Sequence, residues 1–442
     1  MMGVNLRINL KLKKEVQTMQ TRAIRLYGKD DLRLDTFELP PLKEDEILVK
    51  IISDSVCMST YKLAKQGVSH KRARPDLSEH PSVIGHEMSG VIIEVGEKWK
   101  GEYRNGQKFT VLPAVTQDGR LKTAGYYYET YGGDCTYCIL PAEVMEHGCL
   151  IPFEGDSFFE ASLSEPTACI IAGYRRMYHT SEEDHEHRMG VKPGGSLVIF
   201  GACGPMGLEC IDYALQLENG PSKIVAVDVS EERLFRAKKM FDLASGNQKE
   251  LVFLNAGKYA DVVQKLREIN GGKGYDDVFV YAPIESLIEQ ADQVLGKDGC
   301  MNFFAGPVDQ QLSARINMYN VHYLYTHLVG FTGSTNEDLH DALKLMEQKK
   351  IRPTVMVTHI GGLESAIETT LHVPEIPGGK KMIYTQIDLP LTAIEDFAEL
   401  GKTNPLFKRL EESCAAHNGC WNAEAEKLLL DAYQVDLTRS EV

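Results

Sequence analysis

From Gly194 to Glu218 the chain reads GGSLVIFGACGPMGLECIDYALQLE. An apolar run, Leu197 to Phe200, is the pattern of a strand buried on both faces. It enters a turn carrying Gly201, Gly204 and Gly207, and apolar residues then recur at helical spacing. The alternation continues. KIVAVDVS is a second buried strand and EERLFRAKKMF a second helix. ADVVQKLREI, YDDVFVYAP, SLIEQADQVL, GCMNFFAG and HLVGFTGS follow in the same rhythm. Strands alternating with helices predict βαβ units and a parallel sheet.

The chain before this region is different. From Arg22 to about Leu150 the segments are short and β-rich, as in EILVKIISDSV, GVIIEVG and KFTVLPAV, with Gly, Pro and Asp between them. An antiparallel or barrel-like unit is expected there. After Gly333, IRPTVMVTHIGGL and GGKKMIYTQID read as elements returning to that first unit, and the stretch from about Leu389 is helical. A chain of 442 residues exceeds one ordinary core, so two domains are expected. We divide it into an N-terminal extension (1–18), a β-rich domain (19–181), a dinucleotide-binding domain (182–335), and a return with a helical C-terminal extension (336–442).

A strand, a glycine turn and a helix start together make an anion site. Free N–H groups point at a pyrophosphate, and the helix dipole favours its charge. The turn here is G-x-x-G-x-x-G rather than the common G-x-G-x-x-G. Asp228 ends the next strand, 21 residues after Gly207. A carboxylate there accepts from ribose hydroxyls and repels a 2′-phosphate, which favours NAD over NADP. Arg233 and Arg236 lie close enough to soften that preference. The expected cofactor contacts are Gly201, Gly204, Pro205, Met206, Gly207, Asp228 and Arg233. The bland alternative is a glycine turn that binds nothing.

A second motif is PSVIGHEMSGVIIEVG, residues 81–96, which sets His86 and Glu87 beside an apolar strand. Polar groups there are costly unless compensated. Zinc takes Cys sulfur, His nitrogen and carboxylate oxygen, and a catalytic zinc keeps one position open. Cys57 lies upstream, followed by Ser59, and Glu165-Pro166 lies downstream. A lone buried Cys or His is more often simple packing, and Glu-Pro is also ordinary helix-start chemistry.

The residues Gly85, His86, Glu87, Gly90, Val95 and Gly96 match the pattern GHE-x-x-G-x-x-x-x-V-G. In this the chain resembles the zinc-dependent medium-chain dehydrogenase/reductase superfamily, from about Met19 to about Asp388. Glu165-Pro166 resembles the polyol dehydrogenase branch. The phrase GACGPMGLECIDYAL and the long tail resemble L-sorbose-1-phosphate reductases. The resemblance implies an α/β fold: a β-rich GroES-like catalytic domain with an inserted Rossmann-type doubly wound parallel-sheet domain. It implies Cys57, His86, Glu87 and Glu165 as the zinc-ligand positions, with either carboxylate as the inner-sphere one. Ser59 and Glu165 take catalytic roles, Ser59 at the start of a proton relay that Thr60 or Lys62 could extend. It implies NAD(P)-linked reduction of a ketose phosphate, the preferred reading being L-sorbose 1-phosphate to D-glucitol 6-phosphate. An unphosphorylated polyol is the alternative.

One departure concerns a second, structural zinc, which many relatives hold in a four-cysteine lobe. No cysteine occurs between Cys57 and Cys135, so one zinc is expected. Cys135 and Cys138 are expected to be packing residues on opposite sides of a strand. The basic run His70-Lys71-Arg72-Ala73-Arg74 is either a phosphate contact or a solvated loop. A net charge of −15 argues against nucleic-acid binding. No apolar run is long enough for a membrane span. Ten scattered cysteines without a secretory signal fit reduced thiols and a cytoplasmic location. The resemblance also implies a homo-oligomer, dimer or tetramer. A reading of another class is a non-catalytic dinucleotide sensor, which would need no zinc.

Overall fold

The computed structural model describes residues 19–117, 120–180, 185–241 and 249–437. The expected N-terminal extension lies outside the described residues. The parallel sheet expected from the alternating pattern is present. Its strand order is 250–255, 223–228, 196–200, 275–280, 295–303 and 327–330, all parallel. In chain order this is 3-2-1-4-5-6, the doubly wound arrangement whose crevice opens where the order reverses. Its first strand, Ser196–Phe200, is buried along its whole length. The helix after it, Pro205–Gln216, starts with Gly204 as N-cap and Pro205 in the first turn.

The β-rich part forms a second sheet in the order 150–152, 108–111, 88–95, 47–55, 380–384, 357–362 and 392–393, with 137–140 also pairing 47–50. Strand Lys380–Tyr384 runs antiparallel to Ile47–Ser55, Met382 opposite Ser55. The chain therefore leaves this sheet, builds the parallel one, and returns. That return brings residues from both ends of the chain to one place.

The C-terminal tail packs on its own chain. Trp421 is fully buried and its indole donates to the Tyr384 hydroxyl at 2.7 Å. Tyr384 donates in turn to Glu426 (2.9 Å), whose carboxyl also accepts from the backbone N–H groups of Phe158 and Phe159. Trp421, Leu197 of the parallel sheet and Ile52 of the mixed one belong to a single apolar core.

Glu209 is buried in helix Pro205–Gln216. Its Oε1 accepts from Thr167 at 2.9 Å, and its Oε2 has no partner. Burial, reinforced by Asp212, pushes its carboxyl up to about 8. A group raised in the folded state stabilises most where both states are protonated, below the unfolded value near 4.3. That contribution is lost as pH rises towards 8. Glu209→Gln should therefore melt like the wild type near pH 4 and above it at pH 9. Equal melting temperatures across this range would show that Glu209 carries no such burden.

Candidate active site

Cys57 precedes helix Met58–Gln66 as its N-cap, directly after strand Ile47–Ser55. His86 and Glu87 immediately precede the neighbouring strand Met88–Val95. Antiparallel pairing of these strands, Asp54 opposite Met88, brings the three side chains together. Gly85 sets the approach. Its φ is +85°, in the left-handed region, and a Cβ there would stand 2.5 Å from the Asp134 nitrogen. One donor atom each from Cys57, His86 and Glu87 lies within 4.8 Å of the others.

Each donor is held by a neighbour. Ser59 donates to Cys57 Sγ at 2.9 Å and lies 3.2 Å from His86 Nε2. Thr60 Oγ1 is 3.2 Å from His86 Nδ1. With the hydrogen on Nδ1, the Nε2 lone pair faces the cluster. Burial lowers the His86 pKa, keeping the imidazole neutral. Burial, reinforced by Glu87, pushes the Cys57 thiol up to about 11, with Lys380 and Ser59 pulling against it.

Glu87 is fully buried, and both its oxygens accept from the Lys380 ammonium while Ser55 donates to Oε2. Burial would raise its carboxyl, but the Lys380 charge prevails and holds it below the usual range. Lone pairs remain on both oxygens for a further partner. Sulfur, imidazole nitrogen and carboxylate oxygen, gathered with His86 and Glu87 buried and Cys57 half-buried, fit zinc. Among the described residues no other group of three such ligands gathers.

Glu165 stands outside this triad, in the first turn of helix Ser164–Arg176. Burial and the Glu87 charge raise its carboxyl, with His86 and Lys380 pulling it down. It thus faces the same site. The buried Tyr126 ring packs 5.4 Å from the His86 ring. Lys62 of the same helix as Ser59 donates to the Gly306 carbonyl.

Lys380 and Tyr126 were missed by reading the sequence. For Lys380 a signal existed: two consecutive lysines open the apolar strand KKMIY, and both are buried. Lys381 turns the other way, donating to the carbonyls of Ile376 and Gly379. One expectation is corrected. Cys135 and Cys138 do not face opposite sides; their thiols meet in one apolar cluster. The strand starts only at Tyr137, so its alternation does not extend to Cys135.

At the other sheet, the Gly201 and Ala202 N–H groups donate to the Val227 carbonyl, placing the glycine turn over the next strand. A Cβ on Gly207 would lie 2.6 Å from Ala202 backbone atoms, so only glycine allows this helix-to-turn approach. Met206 is half-buried in the first turn. Asp228 Oδ2 accepts from Cys203 N at 3.1 Å, and Oδ1 from Val229 N and Ser230 N. Asp228, Arg233 and Arg236 line a cavity of about 760 Å³ whose outer wall includes Ile394 and Glu411 of the tail. Arg236 is spent on the Val357 carbonyl at 2.8 Å, whereas Arg233 is exposed.

Comparison with known proteins agrees with this geometry. Family models described as "Alcohol dehydrogenase GroES-like domain" and "Zinc-binding dehydrogenase" match residues 43–149 and 205–348. The chain is 45% identical to mannitol-1-phosphate 5-dehydrogenase of Aliivibrio fischeri over 95% of this chain and 99% of that one. It is 42% identical to L-sorbose 1-phosphate reductase of Klebsiella pneumoniae, again over 95% and 99%. The crystal structure of 2R,3R-butanediol dehydrogenase from Bacillus subtilis superposes with a TM-score of 0.67 over 83% of this chain and 99% of that one, at 23% identity. The chain belongs to the zinc-dependent medium-chain dehydrogenase/reductase superfamily. It is an alcohol or polyol oxidoreductase of that family, which uses zinc and a nicotinamide dinucleotide.

Proposed function

We propose that this chain catalyses NAD(P)H-linked reduction of a ketose phosphate, with L-sorbose 1-phosphate to D-glucitol 6-phosphate as the preferred reaction. The observation that carries the reading is the gathered triad of Cys57, His86 and Glu87. The likeness to enzymes named for sorbose 1-phosphate and mannitol 1-phosphate supports the phosphorylated substrate. Cys57 Sγ, His86 Nε2 and a Glu87 oxygen would hold one zinc, with Glu165 beside them. Bound there, zinc supplies a Lewis acid for a carbonyl oxygen, and the reduced nicotinamide supplies a hydride. The chain's own residues do the rest. Gly201, Gly204, Pro205, Met206 and Gly207 present the helix start to the pyrophosphate. Asp228 faces the adenosine ribose, which favours NAD, with Arg233 at its rim. The Ser59 hydroxyl holds the proton that the substrate oxygen takes up, and the buried Tyr126 ring beside His86 shields the site from water.

The test is a substrate panel with NADH and NADPH. L-sorbose 1-phosphate should outperform free L-sorbose in kcat/KM, and D-glucitol 6-phosphate should be oxidised in the reverse direction. Faster oxidation of mannitol 1-phosphate would move the substrate within the phosphorylated class. Equal rates with free sugars would remove the phosphate from the reading.

A further inference from the structure

We propose that Arg72 forms the subsite that takes the phosphate monoester of the substrate. This rests on the ketose phosphate reading above and says where its anion binds. Five residues, His70 to Arg74, carry four basic side chains, and the fold separates their fates. Arg74 is spent: its guanidinium bonds Asp76 at 2.6 Å and Glu129 at 3.1 Å. Arg72 is half-buried, and among the described residues no carboxylate pairs with it. Its guanidinium instead lies 5.9 Å from the centre of the Tyr126 ring. The same ring is 5.5 Å from His70 and 5.4 Å from His86.

The contacts form a short path from Arg72 to Tyr126 and from Tyr126 to His86, whose Nε2 lies 3.2 Å from the Ser59 hydroxyl. Arg72 therefore stands on the wall of the active site, one aromatic ring away from the donor triad. His70 sits among Arg72, Lys71 and Lys62, and among the described residues none of these three forms an ion pair, Lys62 donating instead to the Gly306 carbonyl. A partly desolvated cation cluster without a counter-charge is costly to fold unless an anion arrives to complete it. A guanidinium binds a phosphate through two parallel hydrogen bonds, which a carbonyl or hydroxyl of a free sugar does not match. The Tyr126 face holds the guanidinium plane in place for that contact.

The test compares metal-loaded wild type with Arg72→Gln, Arg72→Lys and Arg74→Gln. KM and kcat are measured for L-sorbose 1-phosphate and free L-sorbose, and inorganic phosphate binding to the NADH-loaded protein is measured by calorimetry. Arg72→Gln should lower the preference for the phosphorylated substrate by roughly 10- to 100-fold, chiefly through KM, and weaken phosphate binding by a similar factor. Arg72→Lys should recover part of both losses, because the charge remains without the fork. Arg74→Gln should keep the wild-type preference. Equal losses on both substrates, or an unchanged preference in Arg72→Gln, would overturn the assignment while leaving the substrate class intact. A wild type that does not prefer the phosphorylated sugar would overturn the substrate class and this subsite with it.

Discussion

Replacing Lys380 by Met should lower the stability of the metal-free protein by about 3–5 kcal/mol, the usual cost of stripping one partner from a buried ion pair. Lys380 and Glu87 are both buried, and the ammonium reaches both carboxylate oxygens. Burial alone would lower the Lys380 pKa, but Glu87 and Cys57 beside it raise it well above the ordinary value, so the ammonium stays charged. Methionine keeps most of the volume and removes the charge. Glu87 then keeps only Ser55 and the neutral His86 as close partners.

Zinc should repay much of this loss, because a divalent cation compensates the same carboxylate. The variant should gain more melting temperature from added zinc than the wild type does. Its zinc affinity should also rise, since the ammonium no longer competes for Glu87. The same experiment separates the two carboxylates. Tighter zinc in Lys380→Met identifies Glu87 as the inner-sphere ligand, and an unchanged affinity points to Glu165. An unchanged melting temperature without metal would show that the pair carries little energy.

Much of the fold was legible in the sequence because each signal is local. Leu197–Phe200 is apolar throughout because its strand is covered on both faces, and Pro205 marks a helix start within a few residues of it. The donor triad was approachable for the same reason: His86 and Glu87 are adjacent, and Cys57 sits one strand away. Lys380 was not legible in this way. It lies 293 positions from Glu87 and meets it only because the returning strand pairs with Ile47–Ser55. Tyr126 is similar, one of three consecutive tyrosines that nothing local distinguishes. The tail was legible as helical, yet its anchoring depends on Glu426 meeting the N–H groups of Phe158 and Phe159, 268 and 267 residues away. The Cys135 error has a local cause, since alternation holds only within a strand and the strand begins two residues later.

Removal of the metal is the other large effect. Cys57, His86 and Glu87 have no side-chain electrophile among them, and Lys380 is committed to Glu87. Without a cation, nothing in the triad withdraws charge from a carbonyl oxygen. Lewis-acid stabilisation is worth several kcal/mol, so its loss should slow turnover by about 1000-fold or more. Purified protein should carry about one zinc per chain, because the triad offers one set of sulfur, nitrogen and oxygen donors. The decisive measurement is zinc content by elemental analysis alongside NADH-linked reduction of L-sorbose 1-phosphate, before chelation, after it, and after one equivalent of zinc is restored. The expected result is about one zinc per chain, loss of turnover on removal, and recovery on return. Full turnover by a protein stripped of its metal would contradict the account.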